Sequence, residues 1–220
     1  MHPHLNLYFI SGLGVDRRAF QRLEVPSCCT VHHIAWIRPL PGEPIGAYAR
    51  RLSAAIDPSQ PFVLIGMSFG GMMAVELNRF VQPRQTILIS SAATKNHLPP
   101  YFRLAGRLGL HKLVPPGLFR RPNGMFHWLF GVHTPEEKKL FKDLIADADL
   151  PTVRWSVNAV VNWENTQVPP NLVHISGAAD RLLPPHWARP DIAVAGGGHL
   201  MVFSKAKEIS RIMAEIIKGL

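Results

Sequence analysis

The chain has 220 residues, of which 47% are hydrophobic and 18% charged, and it carries a formal net charge of +9 with a pI of about 10.1. That length suits one domain, or one domain with an insertion, and the apolar share supports a large core and excludes disorder. A basic balance admits nucleic acid, an anionic membrane surface or acidic substrates, but no Lys/Arg-rich short run or nucleic-acid motif is present, so nucleic acid is set aside as a partner.

The first ten residues, MHPHLNLYFI, lack the basic start and long apolar stretch of a signal peptide. Leu5 to Ile10 reads as a short buried strand running into the turn Ser11-Gly12-Leu13-Gly14. Asp16 is placed to cap a helix from Arg17 to about Leu23. Cys28 and Cys29 are adjacent, a spacing that makes no disulfide framework and suits reduced thiols in a cytoplasmic protein. Thr30 to Ile34 is a second strand. Pro44 opens a helix to about Ile56, with Ile45, Tyr48, Leu52 and Ile56 on one face, and Asp57-Pro58 stops it. Phe62 to Ile65 is a buried strand, Phe69 to about Phe80 a helix, and Thr86 to Ser90 a further strand. Leu172 to Ser176 and Ile192 to Ala195 are two more strands, and Lys205 to about Lys218 has helical spacing at Ile209, Ile212, Met213 and Ile216. No run approaches the roughly 18 apolar residues of a membrane span.

Strands thus alternate with helices at both ends of the chain, the pattern of an α/β fold with a mostly parallel sheet covered on both faces. Between Ala92 and about Pro170 the alternation stops. This part is rich in Pro, aromatic and basic residues and holds helix-like pieces such as Pro135 to about Ala148. It reads as a helical insertion over one end of the sheet, within a single domain whose core is 1–91 and 171–220.

Gly66-Met67-Ser68-Phe69-Gly70 sits where a strand gives way to a helix. A serine hydroxyl is a weak nucleophile and needs a base, commonly a histidine oriented by a carboxylate. A sharp turn would expose Ser68 and crowd its neighbours, which is why Gly66 and Gly70 are needed two positions either side. Among eleven histidines, His199 has the best context, following Gly196-Gly197-Gly198 after a predicted strand. His174, inside a strand, reads as a buried histidine with its hydrogen bonds satisfied. His97, His127 and His133 lie in the insertion and could face a pocket. Asp180, just past the strand Leu172 to Ser176, is the leading acid. Asp147, Asp149 and Glu164 are weaker alternatives, and Asp191 lies too near the start of its strand.

The order Ser68, Asp180, His199 is that of α/β-hydrolases. Through Ser11-Gly-Leu-Gly, Gly66-Met-Ser-Phe-Gly-Gly, GAADRLLP and GGGHL, the sequence resembles that superfamily, in particular its short, single-domain bacterial members, over nearly the whole chain outside the insertion. The resemblance implies a sheet of about six strands with a helical lid. It also implies Ser68 as nucleophile, Asp180 as acid, His199 as base, and an oxyanion hole made by the backbone N–H groups of Phe69 and Leu13. Many members carry His-Gly where this chain has Ser11-Gly12, but the donors there are backbone groups.

The implied activity is hydrolysis of a carboxylic ester or thioester without metal or cofactor. Similar triads serve C–C bond hydrolases and cofactor-free haloperoxidases, and the fold also hosts ligand-binding proteins without catalysis. From Lys95 to Thr134 the chain has Lys95, Arg103, Arg107, Lys112, Arg120 and Arg121 but no acidic residue, with aromatic and Leu residues interleaved. This suits either a lid for an apolar acyl chain with an anionic head or an ordinary basic surface.

Overall fold

The computed structural model describes residues 4–113 and 123–220. Six strands form one parallel sheet: β1 (Leu5–Ile10), β2 (Cys29–Ile34), β3 (Phe62–Met67), β4 (Gln85–Ile89), β5 (Leu172–Gly177) and β6 (Ile192–Val194). Their order is β2-β1-β3-β4-β5-β6. The chain leaves β1 for one side of the sheet, then returns past it to lay down β3 on the other. The carboxyl ends of β1 and β3 therefore flank the point where strand order reverses, the place where open α/β sheets hold their ligands.

The inner strands β1, β3 and β4 are almost wholly buried, so apolar side chains run nearly continuously along them, whereas the edge strands β2 and β6 expose part of their length. Leu7 and Phe9 face one layer, with Phe20, Phe141, Phe203 and the helix α9 (Ala206–Lys218). Tyr8 and Ile10 face the other, with α1 (Ile45–Leu52) and α2 (Phe69–Leu77). On α9 the side chains of Ile209, Ile212, Met213 and Ile217 are buried at helical spacing, each contributing about 1.5–3 kcal/mol of apolar transfer. All nine residues of α2 are buried, which explains why its sequence carries apolar residues all round instead of a stripe.

Between β4 and β5 the chain builds α3 (Pro100–Arg107), α4 (Gly124–Phe130), α5 (Pro135–Asp147) and α6 (Leu150–Val161). Thr134 and Glu137 cap α5 reciprocally, and Asp149 caps α6 through the Thr152 N–H. The short α7 (Pro185–Ala188) and α8 (Met201–Ser204) complete the chain. Among the described residues no helix is long and apolar enough to cross a membrane.

Several expected boundaries shift. The helix expected over Arg17 to Leu23 is one 3₁₀ turn, Arg17–Phe20, though Asp16 does cap it. The helix after Pro44 is regular only to Leu52 and tightens to a 3₁₀ turn over Ser53–Ala55. α2 stops at Leu77 rather than Phe80 because the Asn78 side chain donates to the Ala74 carbonyl at 2.8 Å and joins Thr86. The last helix keeps its expected span, running Ala206–Lys218, and the short α8 precedes it against the core. Arg120 and Arg121, counted in the basic stretch, lie outside the described residues.

Candidate active site

Ser68 stands between β3 and α2 with φ 52° and ψ −123°, a region L-residues avoid. The turn leaves no room for neighbouring side chains. A Cβ on Gly66 would strike the Gly70 carbonyl, and one on Gly70 would strike the carbonyls of Ile10 and Ser11, each closer than the 3.0 Å a real Cβ keeps. The spacing of the glycines thus records a close approach of α2 to the end of β1. The Ser68 N–H is tied to the Ile89 carbonyl at 2.9 Å.

Two glycine-rich loops bring the other groups to the serine. Beyond β5 and β6 the chain crosses itself at Gly177 and Gly197, with the Ala179 N–H donating to the Gly197 carbonyl at 2.9 Å. Asp180 and His199, 19 residues apart, meet there: His199 Nδ1 lies 2.8 Å from Asp180 Oδ2. The other carboxylate oxygen accepts the N–H groups of Leu182 and Leu183, each at 2.9 Å. An ionised carboxylate only accepts, so Nδ1 carries the imidazole proton and Nε2 is free to accept. The Ser68 hydroxyl donates to that Nε2 at 2.9 Å. Asp180 is 3% and His199 1% exposed, so the pair is shielded from competing water.

Leu13, on the loop after β1, and Phe69, the first residue of α2, lie next to Ser68. A Cβ on Gly12 would lie 3.2 Å from the Ser68 Cβ, so the loop carrying Leu13 abuts Ser68. Ser11 closes that loop by donating to the Val15 carbonyl at 2.8 Å and accepts the Trp36 indole N–H at 3.1 Å. Among the described residues, neither the Leu13 nor the Phe69 N–H meets an acceptor within the protein.

The weaker acid candidates are engaged elsewhere. Asp147 pairs with Arg18, Asp149 caps α6, Glu164 pairs with Lys95, and Asp191 accepts the His174 N–H before β6. Arg181 donates to the Trp128 carbonyl and stacks on its ring, so it is not a partner of Asp180. His97, His127 and His133 make no hydrogen bond to Ser68, Asp180 or His199. His174 departs from expectation. It is buried, but only Nε2 is engaged, by the Ser91 N–H at 3.4 Å, while Nδ1 has no partner. Burial, reinforced by His97, pushes its pKa down to about 4.

Sequence reasoning missed the aromatic frame. Trp36 stacks on Phe69 with centroids 5.3 Å apart, Trp155 meets Phe69 edge-on, and Phe130 from α4 presents its edge to His199 at 5.4 Å. The Phe130 carbonyl accepts the Leu200 N–H at 3.1 Å, fixing α4 on the histidine loop. Beside Ser11 opens a cleft of 1010 Å³ whose lining includes Trp36, Arg38, Leu144 and Val153.

A sequence profile of the alpha/beta hydrolase family matches residues 7–212. The chain belongs to that family. None of the curated proteins compared with this family member matches it significantly. Solved structures similar to this alpha/beta hydrolase include an esterase from Exiguobacterium antarcticum, 14% identical with a TM-score of 0.72, the match covering 99% of this chain and 93% of that one. MenH from S. aureus is also 14% identical with a TM-score of 0.72, over 100% and 95% of the two chains. The RedJ thioesterase of the prodiginine biosynthetic pathway in Streptomyces coelicolor is 18% identical with a TM-score of 0.67, over 99% and 86%. At these identities the likeness is one of fold.

Proposed function

We propose that this alpha/beta hydrolase is a serine hydrolase that cleaves a small-molecule carboxylic ester or thioester through an acyl-enzyme. The observation that carries the reading is the continuous chain of hydrogen bonds from Ser68 Oγ to His199 to Asp180, at 2.9 and 2.8 Å, on a serine held at φ 52°. His199 Nε2 takes the hydroxyl proton as Ser68 Oγ attacks the carbonyl carbon. The oxyanion rests on the N–H groups of Leu13 and Phe69, a type of contact worth about 3–4 kcal/mol per donor. The imidazolium then protonates the leaving alcohol or thiol, and in the second half it takes a proton from the water that releases the acid. Asp180 holds the imidazole in the Nδ1–H tautomer and stabilises its charged form. The helices between β4 and β5 act as a lid, and the cleft beside Ser11 receives part of the substrate.

Labelling with a fluorophosphonate tests the reading. The natural chain is expected to label stoichiometrically, and Ser68→Ala and His199→Ala to lose the label. A label that survives Ser68→Ala would sink the nucleophile assignment, and a folded natural chain that never labels would indicate a binding protein. A panel of esters, thioesters and C–C bonded diketones then separates the reaction types. Comparing neutral with anionic esters at rising salt decides whether Arg103 and Arg107 draw an anionic head to the lid. A rate advantage for anionic esters that fades with salt supports that role.

A further inference from the structure

Ser68 and Phe69 share one peptide unit. Its N–H is the Phe69 amide assigned above to the oxyanion, and its C=O is the Ser68 carbonyl. Three donors converge on that carbonyl. The Gly71 N–H at 2.9 Å and the Met72 N–H at 3.4 Å belong to the first turn of α2. The third is the Ser91 hydroxyl at 2.6 Å, brought in from two residues beyond β4. Ser91 is fully buried, and its own N–H donates to His174 Nε2 on the neighbouring strand. Space for it exists only because residue 71 is glycine: a Cβ there would meet Ser91 Oγ and Cβ closer than a real Cβ allows. The double glycine Gly70-Gly71 therefore has two separate reasons, the end of β1 for the first and Ser91 for the second.

We propose that Ser91 is a positioning residue of the reaction, orienting the Ser68–Phe69 peptide so that the Phe69 N–H points at the developing oxyanion, with His174 fixing Ser91 in turn. The proposal rests on the serine-hydrolase reading above. The physical reason is that oxyanion donors stabilise a transition state to the extent that they are already aimed before charge develops. A hydrogen bond accepted by the carbonyl fixes the plane of the peptide and draws electron density from its other end, making the N–H a stronger donor. Helix α2 alone supplies only the two N–H groups any helix start supplies; the third donor comes from outside the helix, to a residue held at a strained φ of 52°.

The test uses the natural 220-residue chain, Ser91→Ala and Ser91→Cys, the latter keeping the shape while offering only a weak donor. Labelling with a fluorophosphonate to completion counts competent sites, and kcat and KM for an activated ester are then expressed per labelled site. The affinity of a trifluoromethyl ketone, which forms an oxyanion on Ser68, is measured alongside. Ser91→Ala is expected to lower kcat per site about tenfold at unchanged KM and to weaken the ketone by a like factor, with Ser91→Cys between it and the natural chain. A Ser91 of merely structural value would change thermal stability and the fraction of labelled sites alone. Both variants within about twofold of the natural chain in kcat per site and ketone affinity would overturn the role. If Ser91→Ala does not fold, Ser91→Cys decides by the same criteria. A natural chain with no label at Ser68 would overturn the serine-hydrolase reading and this role together.

Discussion

His174 ties the acid stability of the protein to a single buried ring. It is 2% exposed, its Nδ1 has no partner, and burial lowers its pKa from the usual 6.5 to about 4. The groups around it are His97 from the turn after β4, which opposes its charge, and Asp191 and Asp180, which favour it. The Ala188 backbone on α7 also favours the charged form, but too weakly to offset burial. Below pH 6.5 the unfolded chain binds a proton at this position and the folded chain does not. The stabilisation is therefore complete above pH 6.5 and drains away as pH falls toward 4. A shift of that size corresponds to about 3 kcal/mol, most of it lost by pH 4.5. Urea denaturation of the natural chain and His174→Gln at pH 7.5 and pH 4.5 isolates the effect, because the other titrating groups are common to both chains and largely cancel. The natural chain should lose about 2–3 kcal/mol more than the variant over that interval. Parallel losses would refute the claim that His174 is held neutral in the fold.

Other perturbations reach different parts of the site. Asp180→Asn should leave the fold intact by circular dichroism and lower kcat about 10⁴-fold, because the amide stabilises the wrong imidazole tautomer. Gly70→Ala drives a Cβ into the carbonyls of Ile10 and Ser11, and should cost about 1–3 kcal/mol in denaturant melts along with most activity. Trp163→Phe removes the indole N–H that donates to Glu76 Oε1 at 2.8 Å. That carboxylate is 2% exposed, and stability should fall by about 1–3 kcal/mol with kcat per labelled site unchanged.

What the sequence disclosed and what it withheld differ in the range of the interaction. Gly66-x-Ser68-x-Gly70 is legible because a strained strand-to-helix turn restricts residues two positions away, so the constraint is written locally. His199 and Asp180 were readable for a similar reason. Each follows a strand end, and the parallel order β4-β5-β6 brings those ends together. Strand and helix identity survived because the periodicity was strong, while an end such as Leu77 lies beside the Asn78 side chain, whose bond to the Ala74 carbonyl periodicity does not report. Trp36, Phe130 and Ser91 carry no local signature. Their relation to Ser68 and His199 depends on which chain segments meet, and one of those meetings brings α4 of the stretch between β4 and β5 onto the loop after β6. His174 shows the converse error. A histidine within a strand was expected to find partners for both nitrogens, yet the register that pairs it with Leu88 leaves Nδ1 unmatched.

The strain at Ser68 and the bonds around it belong to one arrangement. A non-glycine residue at positive φ costs on the order of 1–3 kcal/mol and persists only when its surroundings fix it from several directions. Here the N–H of Ser68 is held by Ile89, its carbonyl by Ser91 and its hydroxyl by His199. Two of these anchors come from β4 and the segment just beyond it, the strand beside β3, and the third from the loop after β6. Ser90, between Ile89 and Ser91, is itself at φ 48°. The turn that reaches back to Ser68 is thus strained as well, and the Ser90 N–H is tied to the Ile175 carbonyl of β5 at 2.9 Å. The orientation of the Ser68–Phe69 peptide therefore depends on the end of β4 as much as on the glycines that flank the serine.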